Sequence, residues 1–489
     1  MDKTNIEDFY VKWQANLPQR IDGYIYDENK RILPTRFIFA KFKKIFEKFL
    51  NNELLETEKI ILMPGIRGIG KSTLLSQIYK FEKFLKPKDE RILENIGKLD
   101  ERVFIDVSQL RFEKVSLKDF FNFYEEVKGF HFENPQKKIL ILLDEVHFDE
   151  DWGLFLKTIF DRTRGHRDIL IIATGSSALQ INMIPDIGRR TDVQEIYPMK
   201  FSEYLILKYN KFPTSGLSGY LQDALFNSSN ATDVFKKLEI KSKEIRRFFV
   251  ESVPFQSEKD FFESGSFPST IKIENKQKAM EKIKTIIDGV IIKDVVTLQN
   301  FKTHTIAKIS ELLYLLAKSD VISYDKLNKT LGIGRNETLE SLIDVLVMSG
   351  IIVKMKAYGV AYGSTRKTPK LLFITPSLRG AILNNYYLPG IEGKKLEDYF
   401  ALIYMEDLKD KFASDISYDS AEGGADFVLT MNDRSKIVIE VGFNKEDIGQ
   451  VINTQKKVNG KYSIIFGSEK LELVNDSIVK VPLRYLLLL

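Results

Sequence analysis

Two short stretches of this chain hold residue types suited to phosphate chemistry. The first is Gly65-Ile66-Arg67-Gly68-Ile69-Gly70-Lys71-Ser72, a full match to G-x-x-x-x-G-K-[ST]. Glycines at Gly65, Gly68 and Gly70 let consecutive backbone N–H groups turn inward and cradle a triphosphate, where a side chain would block the approach. The positive end of the helix that follows adds partial charge at the same place. Lys71 is placed to reach the β- and γ-phosphates, the Ser72 hydroxyl to hold Mg²⁺, and Thr73 to complete the nucleotide-binding set. The second stretch is Asp144-Glu145, at the end of the apolar run Ile139-Leu140-Ile141-Leu142-Leu143. In that pattern Asp144 holds Mg²⁺ through water and Glu145 polarises the attacking water.

These residues need a scaffold that gathers them. Lys59-Ile60-Ile61-Leu62-Met63 reads as a buried strand entering the glycine loop, and Thr73 to Tyr79 as a helix leaving it. Arg102 to Asp106 and Ile169 to Ala173 read as further strands, so that an open parallel sheet presents its carboxyl edge to the ligand. At the end of the latter run Thr174, with Ser176 next, is placed to sense the γ-phosphate. Gln194 to Pro198 reads as the fifth strand. Arg189 and Arg190, just before it, are candidates to stabilise the transferred charge, within one chain or from a neighbour in a homo-oligomer.

The ordered set Leu142-Leu143-Asp144-Glu145-Val146, Trp152, Ala173-Thr174-Gly175-Ser176-Ser177, Gly188-Arg189 and Tyr197-Pro198-Met199-Lys200-Phe201-Ser202-Glu203-Tyr204 resembles predicted AAA-type ATPases of archaea and bacteria. These belong to the signal-transduction (STAND) ATPases. The resemblance is close from Arg36 to Tyr204 and extends loosely through Gly265-Ser266-Phe267-Pro268 and Lys293-Asp294. It implies an α/β P-loop ATPase, then a winged helix and often a restriction-endonuclease-like domain, with ATP and Mg²⁺ as cofactors.

The expected organisation is an amino-terminal extension (1–35), the ATPase domain (36–205) and a helical lid (206–300). A winged helix-turn-helix (301–388) and an α/β restriction-endonuclease-like domain (389–489) follow. From His304 to Ile374 the pattern runs helix, helix, helix, hairpin, the order of a winged helix. No acidic residue lies between Asp344 and Glu392, whereas Lys354, Lys356, Arg366, Lys367, Lys370 and Arg379 do. Such an uncompensated run attracts polyanions. Double-stranded DNA is therefore the expected partner, with Arg335, Asn336 and Thr338 reaching a groove. Lys354, Lys356, Arg366, Lys367 and Lys370 would lie near phosphates. Near the end, Asp426 and Glu440 fall on paired strands, with Glu397 on a preceding helix, and suit a shared divalent cation. Restriction-type nucleases follow that glutamate with x-Lys; Gly442 stands here in the lysine's place, and Lys445 is nearby.

Composition narrows the function. The absence of cysteine excludes disulfides, thiolate zinc sites and cysteine nucleophiles, and four histidines without ligand spacing argue against a histidine metal site. No apolar run approaches the roughly 20 residues that span a bilayer. The amino terminus lacks the apolar core of a signal peptide, so an intracellular, cytoplasmic protein is expected. The leading expectation is an ATP-hydrolysing switch that binds DNA. The alternatives are an ATP-gated effector nuclease using Asp426 and Glu440, and an origin-recognition-like DNA-binding ATPase.

Overall fold

Buried apolar runs build the first sheet: β1 (Ile60–Pro64), β2 (Leu99–Asp106), β3 (Lys138–Asp144) and β4 (Ile169–Gly175), joined by a short β5 (Asp192–Val193). All pair in parallel, in the order β2-β3-β4-β1-β5. This computed structural model describes residues 3–135, 137–175, 185–295, 301–319, 321–359, 368–384 and 389–489, without the side chains of residues 3, 185, 186, 293 and 294. Compact units form at Met1–Ile196 and Tyr197–Leu489. The last strand of the first sheet falls slightly earlier than its sequence predicts. Gln194 and Ile196 nevertheless donate backbone hydrogen bonds to Leu62 and Pro64 of β1.

Parallel pairing puts the chemistry at one sheet edge. β4 lies between β1 and β3, with Met63 opposite Thr174 and Leu143 opposite Ala173. The glycine loop, Asp144 and Thr174 all follow the carboxyl ends of these central strands, where open α/β sheets bind ligands. Residues 1–35 are built into this unit. Ile6, Phe9, Trp13, Leu17, Ile21 and Ile25 recur at helical spacing on α1 (Lys3–Ile25) and are all buried. Their burial contributes on the order of 10 kcal/mol before chain entropy is counted. Trp13 Nε1 also donates to the Phe104 carbonyl at 2.6 Å, and Arg20 pairs with Asp106. The glycine loop leads into α2 (Lys71–Tyr79), and the acidic pair into α3 (Trp152–Arg162).

The second unit contains an eight-stranded mixed sheet flanked by helices, in the order β12-β13-β11-β10-β9-β8-β6-β7. The segment expected to form the winged helix holds α4 (Ile309–Lys318), α5 (Tyr324–Leu331) and α6 (Asn336–Met348). Its hairpin, β6 (Ile352–Ala357) and β7 (Lys370–Phe373), follows and is antiparallel. After α7 (Pro376–Leu383) and α8 (Ile391–Ile403) come β8 (Ala413–Tyr418), β9 (Phe427–Met431) and β10 (Lys436–Val441). The remaining strands are β11 (Tyr462–Ser468), β12 (Glu472–Asn475) and β13 (Ile478–Pro482). Lys356 and Ala357 of β6 pair with Ser417 and Tyr418 of β8, so the sheet runs without a break across the expected boundary at 388. Arg379 and Asp398, both wholly buried, make a two-pronged ion pair at 2.6 and 2.8 Å. Asp398 also accepts from the Phe373 amide at 2.9 Å, and Arg379 donates to the Ala317 carbonyl at 2.8 Å. One ion pair thus ties α4, β7, α7 and α8 together.

Candidate functional site

The loop from Gly65 to Ser72 takes a shape that depends on its glycines. Gly68 and Gly70 have φ of 80° and 92°, a backbone region that side chains disfavour. A Cβ at Gly65 would come within 2.4 Å of Ile69 Cδ1 and 2.6 Å of the Ile196 carbonyl oxygen. Arg36, from the segment before the sheet, donates from Nη1 to the Ile69 carbonyl at 3.1 Å and so braces the loop from outside. The sequence does not reveal this contact, because the partner is the backbone carbonyl of Ile69, a variable position of the motif. Lys71 is buried, and its ammonium donates to the Gly65 carbonyl at 2.7 Å and the Ile66 carbonyl at 3.2 Å. Thr73 lies in the first turn of α2.

The acidic pair closes on this loop. Asp144 is buried at the end of β3, with the Ser72 hydroxyl close enough to stabilise its charged form. Thr174 Oγ1 donates to Asp144 Oδ1 at 2.5 Å and accepts from the Glu145 amide at 3.0 Å. Burial pushes the Asp144 carboxyl above its ordinary range, while the Ser72 and Thr174 hydroxyls pull it down. Glu145 has a left-handed backbone (φ 55°), and its Oε2 lies 3.4 Å from His147 Nε2. His147, two residues after the pair, is one of the four histidines and reaches Glu145 through this turn, a contact that ligand spacing does not reveal. Lys71, Ser72, Asp144, Glu145 and Thr174 therefore come together. Thr174 orients Asp144 and the Glu145 backbone at the carboxyl end of β4. Ser176 lies outside the described residues. Arg190 pairs with Asp161 of α3 at 3.5 Å and lies over the Phe160 ring, and Arg189 is exposed beside it.

The expected polyanion surface is rearranged by folding. The stretch between Asp344 and Glu392 is free of acids in sequence but not in space. Lys354 pairs with Asp344 at 2.8 Å and Glu340 at 3.7 Å. Lys370 is buried against Glu397 and Asp426, and Arg379 against Asp398. These three cations, Lys354 and Lys370 among the expected phosphate contacts, are engaged by carboxylates that the chain brings in from elsewhere. Asn336 is held too: it donates to Asp325 at 2.6 Å and accepts from Asn328 at 2.8 Å, which fixes the turn between α5 and α6. Arg335 and Lys356 are exposed and Thr338 is half-buried. Arg366 and Lys367 lie outside the described residues. The outward side of α6 carries Glu337, Glu340 and Asp344 and no cation.

Glu397, Asp426 and Glu440 do converge, from α8, the start of β9 and β10. Glu440 Oε2 accepts from the Asp426 amide at 3.1 Å, and Asp426 Oδ2 from the Val441 amide at 3.1 Å. Lys445 Nζ lies 2.7 Å from Glu440 Oε1. Burial, then the Asp426 charge, pushes Glu440 up to about 7 against the pull of Lys445. Among the described residues, no group of three histidine, aspartate or glutamate side chains is arranged to hold a metal ion. No described helix is long and apolar enough to cross a membrane.

Comparison with known proteins agrees with the first unit's architecture. The AAA domain family matches residues 57–205, and a domain of unknown function (DUF8612) matches residues 255–387, across the expected boundary at 300. An uncharacterized protein of Methanocaldococcus jannaschii, MJ1637, is 33% identical over 492 residues, covering 99% of this chain and 94% of that one. An uncharacterized Haemophilus influenzae protein is 22% identical and covers 83% of this chain and 90% of its own length. AMPPCP-bound DnaA from Aquifex aeolicus aligns over 66% of this chain and 91% of its own, with 16% identity and a TM-score of 0.26, too loose to bear on function. The chain belongs to one family with the Methanocaldococcus jannaschii protein, and its residues 57–205 form an AAA-type P-loop ATPase domain.

Proposed function

We propose that the protein is a Mg²⁺-dependent, ATP-hydrolysing molecular switch of the STAND type whose second unit delivers the output. The observation that carries this reading is a buried Asp144 held by Thr174 at 2.5 Å, with the Ser72 hydroxyl close enough to stabilise its charge and the lysine of the glycine loop buried within that loop. A magnesium nucleotide would find a hydroxyl and a carboxylate oxygen side by side for its metal, and the metal would offset phosphate charge. Lys71 exchanges the Gly65 and Ile66 carbonyls for phosphate oxygens. Asp144 is held at one oxygen by Thr174, which limits its rotation. Glu145, at the tip of a left-handed turn beside His147, takes the proton of the attacking water. Arg189 and Arg190 serve as charge stabilisers across a contact between copies in a homo-oligomer.

Double-stranded DNA is the proposed output ligand. Arg335 at the start of α6, Lys356 on β6 and the hairpin residues Arg366 and Lys367 make the contact, rather than the acidic outward side of α6. The ATPase arm is tested by phosphate release: Lys71→Ala abolishes it, and a parent rate in that variant removes the assignment. The DNA arm is tested by anisotropy of a labelled duplex against salt. Arg335→Ala with Arg366→Ala and Lys367→Ala flattens the salt slope, and an unchanged slope removes DNA as the ligand.

A further inference from the structure

The resemblance to restriction-type nucleases implies a divalent cation among Glu397, Asp426 and Glu440, and the arrangement of these residues does not suit one. A hard cation takes six or more oxygens facing a common open point. Here the oxygens face elsewhere. Glu397 Oε2 and Asp426 Oδ1 meet the ammonium of Lys370, the latter at 3.4 Å. Asp426 Oδ2 meets the Val441 amide, Glu440 Oε1 meets Lys445, and Glu440 Oε2 meets the Asp426 amide. Four of the six carboxylate oxygens thus have a named donor in this chain, and a fifth, Glu397 Oε2, stands in an ion pair with Lys370 without a formed hydrogen bond.

The two lysines arrive by different routes. Lys370 opens β7, the hairpin strand, and its side chain is 7% exposed with the ammonium 5.0 Å from the centre of the Phe427 ring. Lys445 reaches back from the loop after β10. Its stem crosses Gly442, where a Cβ would stand 3.1 Å from Lys445 Cδ. The absence of a side chain at Gly442, the position of the missing motif lysine, gives Lys445 its path. Buried carboxylates without water demand compensating charge.

We infer that the ammonium groups of Lys370 and Lys445 stand in for the divalent cation, so that this centre is an ion network fastening the helix-turn-helix hairpin to the carboxyl-terminal strands. The inference does not depend on the nucleotide site. Its test uses the full chain without nucleotide, with Mn²⁺ as the probe, followed by calorimetric titration and thermal unfolding. The wild type shows no Mn²⁺ binding that is lost in Asp426→Asn, and its unfolding temperature does not respond to Mn²⁺. Lys370→Met, which keeps the stem and removes the charge, lowers the unfolding temperature by several degrees, and Mn²⁺ restores part of that loss. In Lys370→Met with Glu397→Gln the Mn²⁺ response disappears again. Wild-type Mn²⁺ binding abolished by Asp426→Asn overturns the inference, as does plasmid cleavage by the wild type that Glu440→Ala abolishes. A Lys370→Met chain that gains no response to Mn²⁺ overturns it as well.

Discussion

The two carboxylate centres of this protein differ in where their partners come from. Around Asp144 the neighbours are the Ser72 and Thr174 hydroxyls and the carboxylates of Glu145 and Asp106, so positive charge can still be accepted from outside. Around Asp426 and Glu440 the neighbours are two ammonium groups of the same chain. A centre built to take a cation leaves the charge to the ligand, and one built to hold a fold together supplies the charge itself. Carboxylates on strand ends are common to both, so the identity of the second partner decides between them.

The contrast can be broken most sharply at the loop. Lys71→Ala should reduce ATP hydrolysis about 100-fold or more while unfolding of the second unit is unchanged, as measured by phosphate release and differential scanning calorimetry. Glu145→Gln should keep nucleotide bound, by equilibrium dialysis, with turnover lost to a similar degree. On the other side, Asp398→Asn leaves the Arg379 guanidinium buried against a neutral partner. It should destabilise the chain by about 3–5 kcal/mol in urea titration with little change in ATP affinity.

A smaller effect concerns pH. Glu440 titrates near 4.5 when unfolded and is pushed up to about 7 when folded, so between those values the folded state binds more protons. Its contribution to stability is present below that window and is lost as pH rises through it. Glu440→Gln should remove this decline, a difference of at most about 3 kcal/mol between the two sides of the window, read from chemical unfolding. Smallest is Thr174→Val, which frees the inner oxygen of Asp144. A roughly tenfold drop in turnover is expected with nucleotide affinity kept, since only orientation is lost.

The nucleotide site was legible because its residues are contiguous. Gly65 to Ser72 is one loop, and Asp144-Glu145 is one strand end, so spacing alone assembles them once parallel pairing is granted. The parallel sheet was legible for the same reason, since short apolar runs alternating with helices leave few ways to pair, whereas its strand order came only with the structure. What stayed hidden lies in contacts between distant positions. Arg36 braces the loop through a carbonyl, and His147 approaches Glu145 only because Glu145 turns left-handed. The acid-free stretch misled most. Local charge counting places Lys354, Lys370 and Arg379 on a surface field, whereas folding lays Asp344, Asp426 and Asp398 against them. Charge read along a chain holds only where the fold leaves it exposed.

The continuous sheet has a consequence for dissecting the molecule. β8 is paired on one flank by β9 and on the other by β6. A fragment beginning at residue 389 would strip away that second neighbour and present bare amide and carbonyl groups along an unguarded edge. Such a fragment should self-associate through strand addition, so the carboxyl-terminal region is best expressed with its hairpin attached.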